Sequence, residues 1–224
     1  MPIAQVQKAI ANQANSVTIT ATLAAPPTDG NLLVLILLFA VKVTEPLSIN
    51  GVPWTFASYA TYGGTSHLYM YYKQASSDLA AITATFEDSR AAILAVAEYS
   101  GMAATDPIDR DARAEGTSDV TSLLVPLSAA TRNADDLLIV ALGHKGHVTA
   151  PSWSDSFTAQ DDAQTGTGAD QIDLQWADRI VAATGTFETT GSWTTARTSG
   201  GVIVAFKDVD VISASSRGYV MISA

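Results

Sequence analysis

The stretch GNLLVLILLFAVKVTEP, residues 30–46, decides the fold. It continues from residue 32 to residue 41 without a polar side chain, until Lys42 and Glu45 interrupt it. A helix that spans a bilayer needs about 20 apolar residues, so this run is too short to be a membrane anchor. The segments PPTDGN before it and TEP after it are typical of turns, and the distance between them is short for a helix. The run therefore predicts a buried strand inside a folded domain.

Composition indicates a well-packed core under a polar surface with few charges. Of the 224 residues, 47% are hydrophobic and 15% are charged, where about 25% charged is usual for a globular chain. The net charge is −10 and no segment collects Lys and Arg, which disfavours nucleic acid and anionic membrane surfaces as partners. The N-terminal segment MPIAQVQKAIANQANS lacks the apolar block of a signal peptide. The absence of cysteine excludes disulfides and thiolate metal sites.

A second stretch repeats the first one. NADDLLIVALGHKGHV at 133–148 resembles DGNLLVLILLFAVKV at 29–43, and VTSLLVPLSAA at 120–130 resembles SVTITATLAAP at 16–26. Further segments correspond in the same order, at an offset of roughly a hundred residues, which is typical of an internal duplication. In this alignment Trp54 corresponds to Trp153, Tyr72 corresponds to Trp176, and ITATFE corresponds to ATGTFE.

Each half has the pattern of an all-β unit. Alternation in VTITATL predicts a half-exposed strand, and the unbroken apolar runs predict strands covered on both faces. We predict a jelly-roll β-sandwich built from two sequence-similar halves, at about 16–103 and 120–209, that exchange strands. The junction 104–119 is expected to be a long crossover, with an N-terminal extension at 1–15 and a C-terminal arm at 210–224. Two independent small barrels are the alternative.

The set of strand motifs has a known counterpart. The segments GNLLVL, YYKQA, ITATFE, AVAEYSG and VIVAFK follow one another across about residues 16–209. Together they resemble a jelly-roll family of virion proteins in tailed phages and prophages, whose members are often described as minor tail or capsid decoration proteins. The resemblance implies the fold and a role on the virion surface. It implies no catalytic residues, because the family has no common catalytic set.

Motifs for catalysis are missing from the chain. It has no G-x-S-x-G elbow, no phosphate loop, no dinucleotide fingerprint and no H-E-x-x-H. A carboxylate pair for glycoside hydrolysis could be assembled from Glu87, Asp88, Glu98 or Glu188. However, Glu87 and Glu188 fall at equivalent places in the two halves, which favours a shared strand end over one active site. We therefore predict a non-enzymatic protein without catalytic residues.

Two segments could hold a metal ion. GHKGH places His144 and His147 three apart, which would suit zinc, and DPIDRDARAEG collects carboxylates that would suit calcium. A polar loop explains each segment as well, since the calcium-loop spacing is absent and Arg110 and Arg113 alternate with the acids. We predict no metal and no cofactor, and leave calcium binding in the acidic loop as the open alternative.

Contacts with partners are expected from aromatic residues. In an alignment anchored on Phe86 and Phe187, the second half has a longer segment that contains Trp193 and Arg197 without counterparts. An exposed Trp beside an Arg is typical of an interface hot spot, although the Trp could also fold back over its own loop. Tyr59 and Tyr62 form a weaker candidate loop. The arm adds a third group of candidates, the residues Tyr219, Val220, Met221 and Ile222.

The resemblance implies a structural protein of a phage virion, located on the tail or the capsid surface. It would act by docking on other virion proteins and on itself, as a homo-oligomer for which a symmetric trimer is suitable. It would not insert into a membrane or bind nucleic acid. The alternative is a carbohydrate-binding module that recognises a cell-surface glycan.

Overall fold

A computed structural model describes residues 2–40 and 48–209 of the chain. Within these residues the chain forms strands connected by turns, with one short 3-10 turn at Gly168–Asp170. The strands are β1 (Ala4–Thr22), β2 (Leu32–Phe39), β3 (Ser48–Ile49), β4 (Thr55–Tyr62), β5 (Ser66–Gln74), β6 (Ala81–Ser100), β7 (Ile108–Pro126), β8 (Leu137–Lys145), β9 (Ser152–Trp153), β10 (Thr158–Thr165), β11 (Ile172–Ile180) and β12 (Glu188–Phe206).

The strands form two six-stranded antiparallel sheets with the same topology. The first sheet has the order β1-β6-β2-β5-β4, with β3 paired to β6, and the second has the order β7-β12-β8-β11-β10, with β9 paired to β12. Each strand of the first half thus has a counterpart six strands later. The prediction of an all-β sandwich made of two similar halves is confirmed. The exchange of strands expected for a jelly roll is not seen, because every described strand pairs within its own half.

The two sheets face each other so that opposite edges meet. At one side β1 lies beside β10, where the Lys8 ammonium contacts the backbone oxygen of Gln160 at 2.9 Å and the Asp161 carboxylate at 3.1 Å. At the other side β4 lies beside β7, where Ser58 Oγ donates to Asp111 at 3.2 Å. Since β4 is the counterpart of β10 and β1 is the counterpart of β7, the two halves are related by an approximate twofold axis.

The run in β2 is apolar throughout because both of its faces are covered. Leu32, Val34, Ile36 and Leu38 lie in the central core between the two sheets, whereas Leu33 and its alternating neighbours lie in a second core on the outer face of the first sheet. Strand β8 divides its side chains in the same way between the central core and a third one. The prediction of a strand buried on both faces is confirmed.

The outer cores are covered by the ends of the longest strands. Residues 92–99 of β6 pair with β2, but Ile82, Ala84 and Phe86 of the same strand pack on the outer face of that sheet. The β1–β6 ribbon must therefore bend back over its own sheet, and the shifts in register between Gln13 and Thr18 mark the bend. Each large apolar side chain buried in this way contributes roughly 1.5–3 kcal/mol to stability.

Two predicted boundaries are wrong. Residues 4–15, assigned to an N-terminal extension, belong to β1, whose partner is β6 from Ala4 onwards. Most of the junction 104–119, assigned to a crossover, belongs to β7, so the second half begins at Ile108. Both segments lie at sheet edges, where many side chains are exposed and the alternation of apolar residues is weak. The predicted C-terminal arm, 210–224, lies outside the described residues.

Candidate functional site

Trp193 is not in an insertion. Ser48 of β3 pairs with Thr85 of β6, and Ser152 of β9 pairs with Ser192 of β12, so Thr85 and Ser192 are equivalent. The next residue along each strand is aromatic. Phe86 and Trp193 are therefore equivalent residues, and the alignment through Phe187 is wrong because the motif TFE occurs twice by coincidence.

The Trp193 side chain is also buried. It is 6% exposed, its Nε1 donates to the Val120 carbonyl at 3.0 Å, and its ring meets the His144 ring edge-on at 4.4 Å. Like Phe86, it covers the outer core of its sheet, so it is a packing residue and not an exposed contact.

Two other predicted correspondences shift by the same reasoning. The counterpart of Trp153 is Ile49. Trp153 pairs with Gly191, two residues before Trp193, and Ile49 pairs with Ala84, two residues before Phe86. Gln74 of β5 pairs with Leu32, and Ile180 of β11 pairs with Leu137, the counterpart of Leu32. Gln74 and Ile180 are therefore equivalent.

Counting back along β5 and β11 makes Tyr72 equivalent to Asp178 and not to Trp176. Trp176 corresponds to Met70, and both side chains lie in the central core. The two halves thus differ in chemistry at more positions than the sequence comparison indicated.

Arg197 is the counterpart of Arg90 and lies at the bend of β12. Its Nη1 donates to the Ala196 carbonyl at 3.2 Å. With Lys145 and Thr198 it lines a shallow groove of about 400 Å³. The structure therefore separates Arg197 from Trp193: the first borders an open groove, and the second lies beneath the surface.

The motif GHKGH leads into the third core. His144 is 0% exposed, and its Nδ1 and Nε2 lie 2.8 Å from Ser199 Oγ and 3.2 Å from Gln175 Oε1. Burial lowers the pKa of His144 to about 3, so the imidazole is neutral at physiological pH. Ser199 is also 0% exposed. A serine and a histidine in hydrogen-bonding distance suggest a nucleophile, but a substrate cannot reach this pair in the folded chain.

Tyr62 and Tyr59 both lie in β4 and not in a loop. Tyr62 is buried in the central core, and burial raises its pKa well above the ordinary value for tyrosine. Tyr59 is partly exposed on the outer face of the first sheet, where its ring stacks on Tyr69 at 5.8 Å. Only Tyr59 of this pair is placed to contact a partner.

Tyr59 belongs to a larger aromatic surface, here called the aromatic face. Phe56 is 43% exposed and lies 5.9 Å from the rings of both Tyr59 and Tyr71. The Arg113 guanidinium reaches across from β7 and lies 4.6 Å from the Tyr59 ring centroid. We define the aromatic face by these five side chains, Phe56, Tyr59, Tyr69, Tyr71 and Arg113. Sequence reasoning missed Phe56, because strict alternation in TFASYATY would place it on the inward side with Ala60 and Tyr62. The irregularity in register between Phe56 and Ser58 turns its ring outward.

The second half has the same backbone without this aromatic face. The pairings of β10 with β11 and of β4 with β5 make four residues equivalent to Phe56, Tyr59, Tyr69 and Tyr71. In that order they are Ala159, Asp162, Gln175 and Ala177. Because the second sheet forms without the aromatic rings, the fold does not require them.

The predicted candidates of the arm, Tyr219, Val220, Met221 and Ile222, lie outside the described residues. Within residues 2–40 and 48–209, no three His, Asp or Glu side chains form a group suited to a metal ion. In the same part of the chain no helix is long and apolar enough to cross a bilayer.

Comparison with known proteins found no matching family model, no matching curated protein and no matching solved structure.

Proposed function

We propose that the chain is a non-enzymatic structural protein of a phage particle and that it docks through the aromatic face. The observation that supports this proposal is the exposed Phe56 over stacked tyrosines, in one half of a duplicated fold that forms without them in the other half. The strand motifs that resemble phage virion proteins supply the particle as the setting. The partner is another protein of the virion.

The chemistry of the aromatic face suits a protein partner. Interface hot spots are enriched in aromatic residues and arginine, and they lie where water is excluded by a surrounding polar rim. Phe56 offers an apolar ring that is held in place by Tyr59 and Tyr71, so little side-chain entropy is lost on binding. Arg113 carries a charge over the neighbouring Tyr59 ring, with a side chain that is 47% exposed. Its ion pair with Glu115 at 3.4 Å holds the guanidinium in place.

The rest of the surface is polar and has few charges. The outward residues of β10 and β7 are mostly Thr, Ser, Gln, Asp and Glu, and they offer no comparable apolar group apart from single side chains such as Leu124, which is 46% exposed. An isolated exposed leucine is ordinary for a folded protein. A cluster of aromatic rings beside an arginine is more typical of a binding surface.

The test is the copy number of the protein in purified particles, measured by quantitative mass spectrometry against the major capsid protein. Phe56→Ala should lower the copy number several-fold, whereas Leu124→Ala, which removes an equally exposed side chain from the other sheet, should not. Absence of the wild-type chain from particles would overturn the virion role. Equal incorporation of both variants would overturn docking through the aromatic face. Hundreds of wild-type copies would indicate capsid decoration, and a handful would indicate the tail.

Self-association is part of the proposal. The homo-oligomer, with a trimer as the expected form, is measured by light scattering on the purified chain. The alternative of glycan recognition was based on an exposed Trp193, and that residue is buried.

A further inference from the structure

A second open surface lies at the edge where β1 meets β10. A groove of about 560 Å³ separates the end of β6 from β10 and β11. Its walls include Gln5, Tyr99, Gln160, Asp178, Arg179 and Ile180. The volume is within the range of roughly 300–1,000 Å³ that is usual for ligand pockets.

The groove has an ordered set of hydrogen-bonding groups on its floor. Tyr99 donates its hydroxyl hydrogen to Asp178 Oδ2 at 2.7 Å, and Gln160 Nε2 donates to Asp178 Oδ1 at 2.7 Å. Gln5 Nε2 donates in turn to the Tyr99 hydroxyl at 3.1 Å. These contacts fix the carboxylate while leaving it a free lone pair on each oxygen, because a carboxylate can accept about four hydrogen bonds.

Burial raises the pKa of Asp178, while the hydrogen bonds from Tyr99 and Gln160 and the charge of Lys8 act in the opposite direction. Lys8 lies behind Gln160 and contacts its backbone oxygen at 2.9 Å. The carboxylate is thus held by neighbours from both sheets.

The opposite edge of the sandwich is filled at the equivalent place. Tyr72 is the counterpart of Asp178 and Phe206 is the counterpart of Tyr99, as the pairings with β2 and β8 show. The rings of Tyr72 and Phe206 meet edge-on at 5.9 Å. Each pair combines one residue from each half, so one edge of the sandwich has a packed aromatic pair where the opposite edge has a polar groove. A carboxylate at this position is not a requirement of the fold.

We propose that this groove binds a neutral, hydroxyl-rich saccharide. Sugar hydroxyls can donate to the free lone pairs of Asp178 and accept from the amide hydrogens of Gln5 and Gln160. Ile180 is 52% exposed at the rim and offers an apolar surface to the C–H face of a sugar ring. The charges around the groove balance, because Asp178 and Asp161 are offset by Arg179 in its wall and by Lys8, which pairs with Asp161 at 3.1 Å. A neutral ligand suits this balance better than a phosphate or a carboxylate. The site is independent of the aromatic face, which lies at the opposite edge.

The experiment is a screen of the full chain on an array of neutral and acidic glycans, followed by calorimetric titration of the best neutral oligosaccharide. Asp178→Asn should weaken binding by about tenfold or more, since it removes a charged acceptor while keeping the size of the side chain. Gln160→Ala, which removes the amide that contacts Asp178, should weaken binding as well. The matched control is Asp162→Asn, which removes a carboxylate from β10, the strand of Gln160, outside the groove. Circular dichroism and thermal melting check that each variant is folded.

The outcomes separate this site from the docking role. The proposal would be supported if the wild-type chain binds a neutral glycan, if Asp178→Asn and Gln160→Ala weaken this binding, and if Asp162→Asn leaves it unchanged. No glycan binding by the wild-type chain, binding restricted to acidic glycans, or binding that Asp178→Asn leaves unchanged would overturn it. None of these results changes the expected effect of Phe56→Ala on incorporation into particles.

Discussion

Asp136 offers a direct test of the electrostatics of the fold. It is 0% exposed at the start of β8, beside the carboxyl of Asp109. The backbone N–H of Arg132 donates to Asp109 Oδ2 at 2.5 Å. Burial is the largest cause that raises the pKa of Asp136 to about 7, followed by Asp109 and Asp208, whereas Lys207 acts in the opposite direction.

The other half shows what a neutral side chain does at this position. The counterpart of Asp136 is Asn31, whose Nδ2 donates to the buried Glu98 at 2.5 Å. An amide is therefore compatible with the backbone here and can donate to a neighbouring carboxylate. Asp136→Asn is the conservative change that the duplication itself suggests.

The sign and size of the effect follow from the two pKa values. The folded-state pKa of about 7 lies above the ordinary value of 3.8, so folding takes up a proton and stability falls as the pH rises through this interval. At 1.36 kcal/mol per pKa unit, the full penalty is about 4 kcal/mol and is present above pH 7. At pH 4.5 it is only about 1 kcal/mol, because the aspartate is still largely protonated in the folded chain. Asp136→Asn should abolish this penalty.

The assay is urea unfolding followed by tryptophan fluorescence at pH 4.5 and at pH 8. The free energy of unfolding of Asp136→Asn should exceed that of the wild-type chain by about 3 kcal/mol more at pH 8 than at pH 4.5. Asp88→Asn, at an exposed carboxylate, is the control for the substitution itself. A variant that is less stable than wild type at pH 8, or a difference independent of pH, would refute the reasoning.

Three further outcomes are expected. Trp193→Ala and Phe86→Ala should each lower the free energy of unfolding by roughly 3–5 kcal/mol in urea titrations, because both rings cover an outer core; an unchanged Trp193→Ala would contradict its burial. His144→Phe, which introduces the residue of the first half, should lower stability by about 1–3 kcal/mol by removing the hydrogen bonds of His144 with Ser199 and Gln175, and Ser199→Ala in the same chain should restore part of it; two additive losses would be inconsistent with a coupled pair. Deletion of residues 211–224 should change the oligomeric state in light scattering more than the melting temperature, and an unchanged oligomer would exclude the arm from assembly.

Much of the fold could be predicted from hydrophobic pattern alone. The run in β2 is apolar on both faces because one core lies on each side of it, and its repetition in β8 revealed the duplication. Polar edge strands were harder to recognise. In β7 the sequence DRDARAEG has its outward side chains in solvent and only small alanines toward the core, so it resembled a loop.

The candidate site was less predictable, because it depends on register. Because the motif TFE occurs in both halves, the sequence alignment matched Phe86 with Phe187 and left Trp193 without a counterpart. The strand pairings of β3 and β9 show that Trp193 is equivalent to Phe86. Phe56 and Asp178 gave no signal in the sequence. Their exposure depends on which edges of the two sheets meet, and that is a property of the packed sandwich.

The duplication separates what the fold needs from what each half has added. Leu23 and Leu127 are equivalent, and both are 4% exposed, so this position serves packing in both halves. Positions that change chemistry on an unchanged backbone cannot be explained in that way. At Phe56 one half gains an exposed ring where the other has alanine, and at Asp178 one half opens a groove where the other has a packed tyrosine. The two differences lie at opposite edges of the sandwich, so a docking contact through the first would leave the second accessible to a ligand.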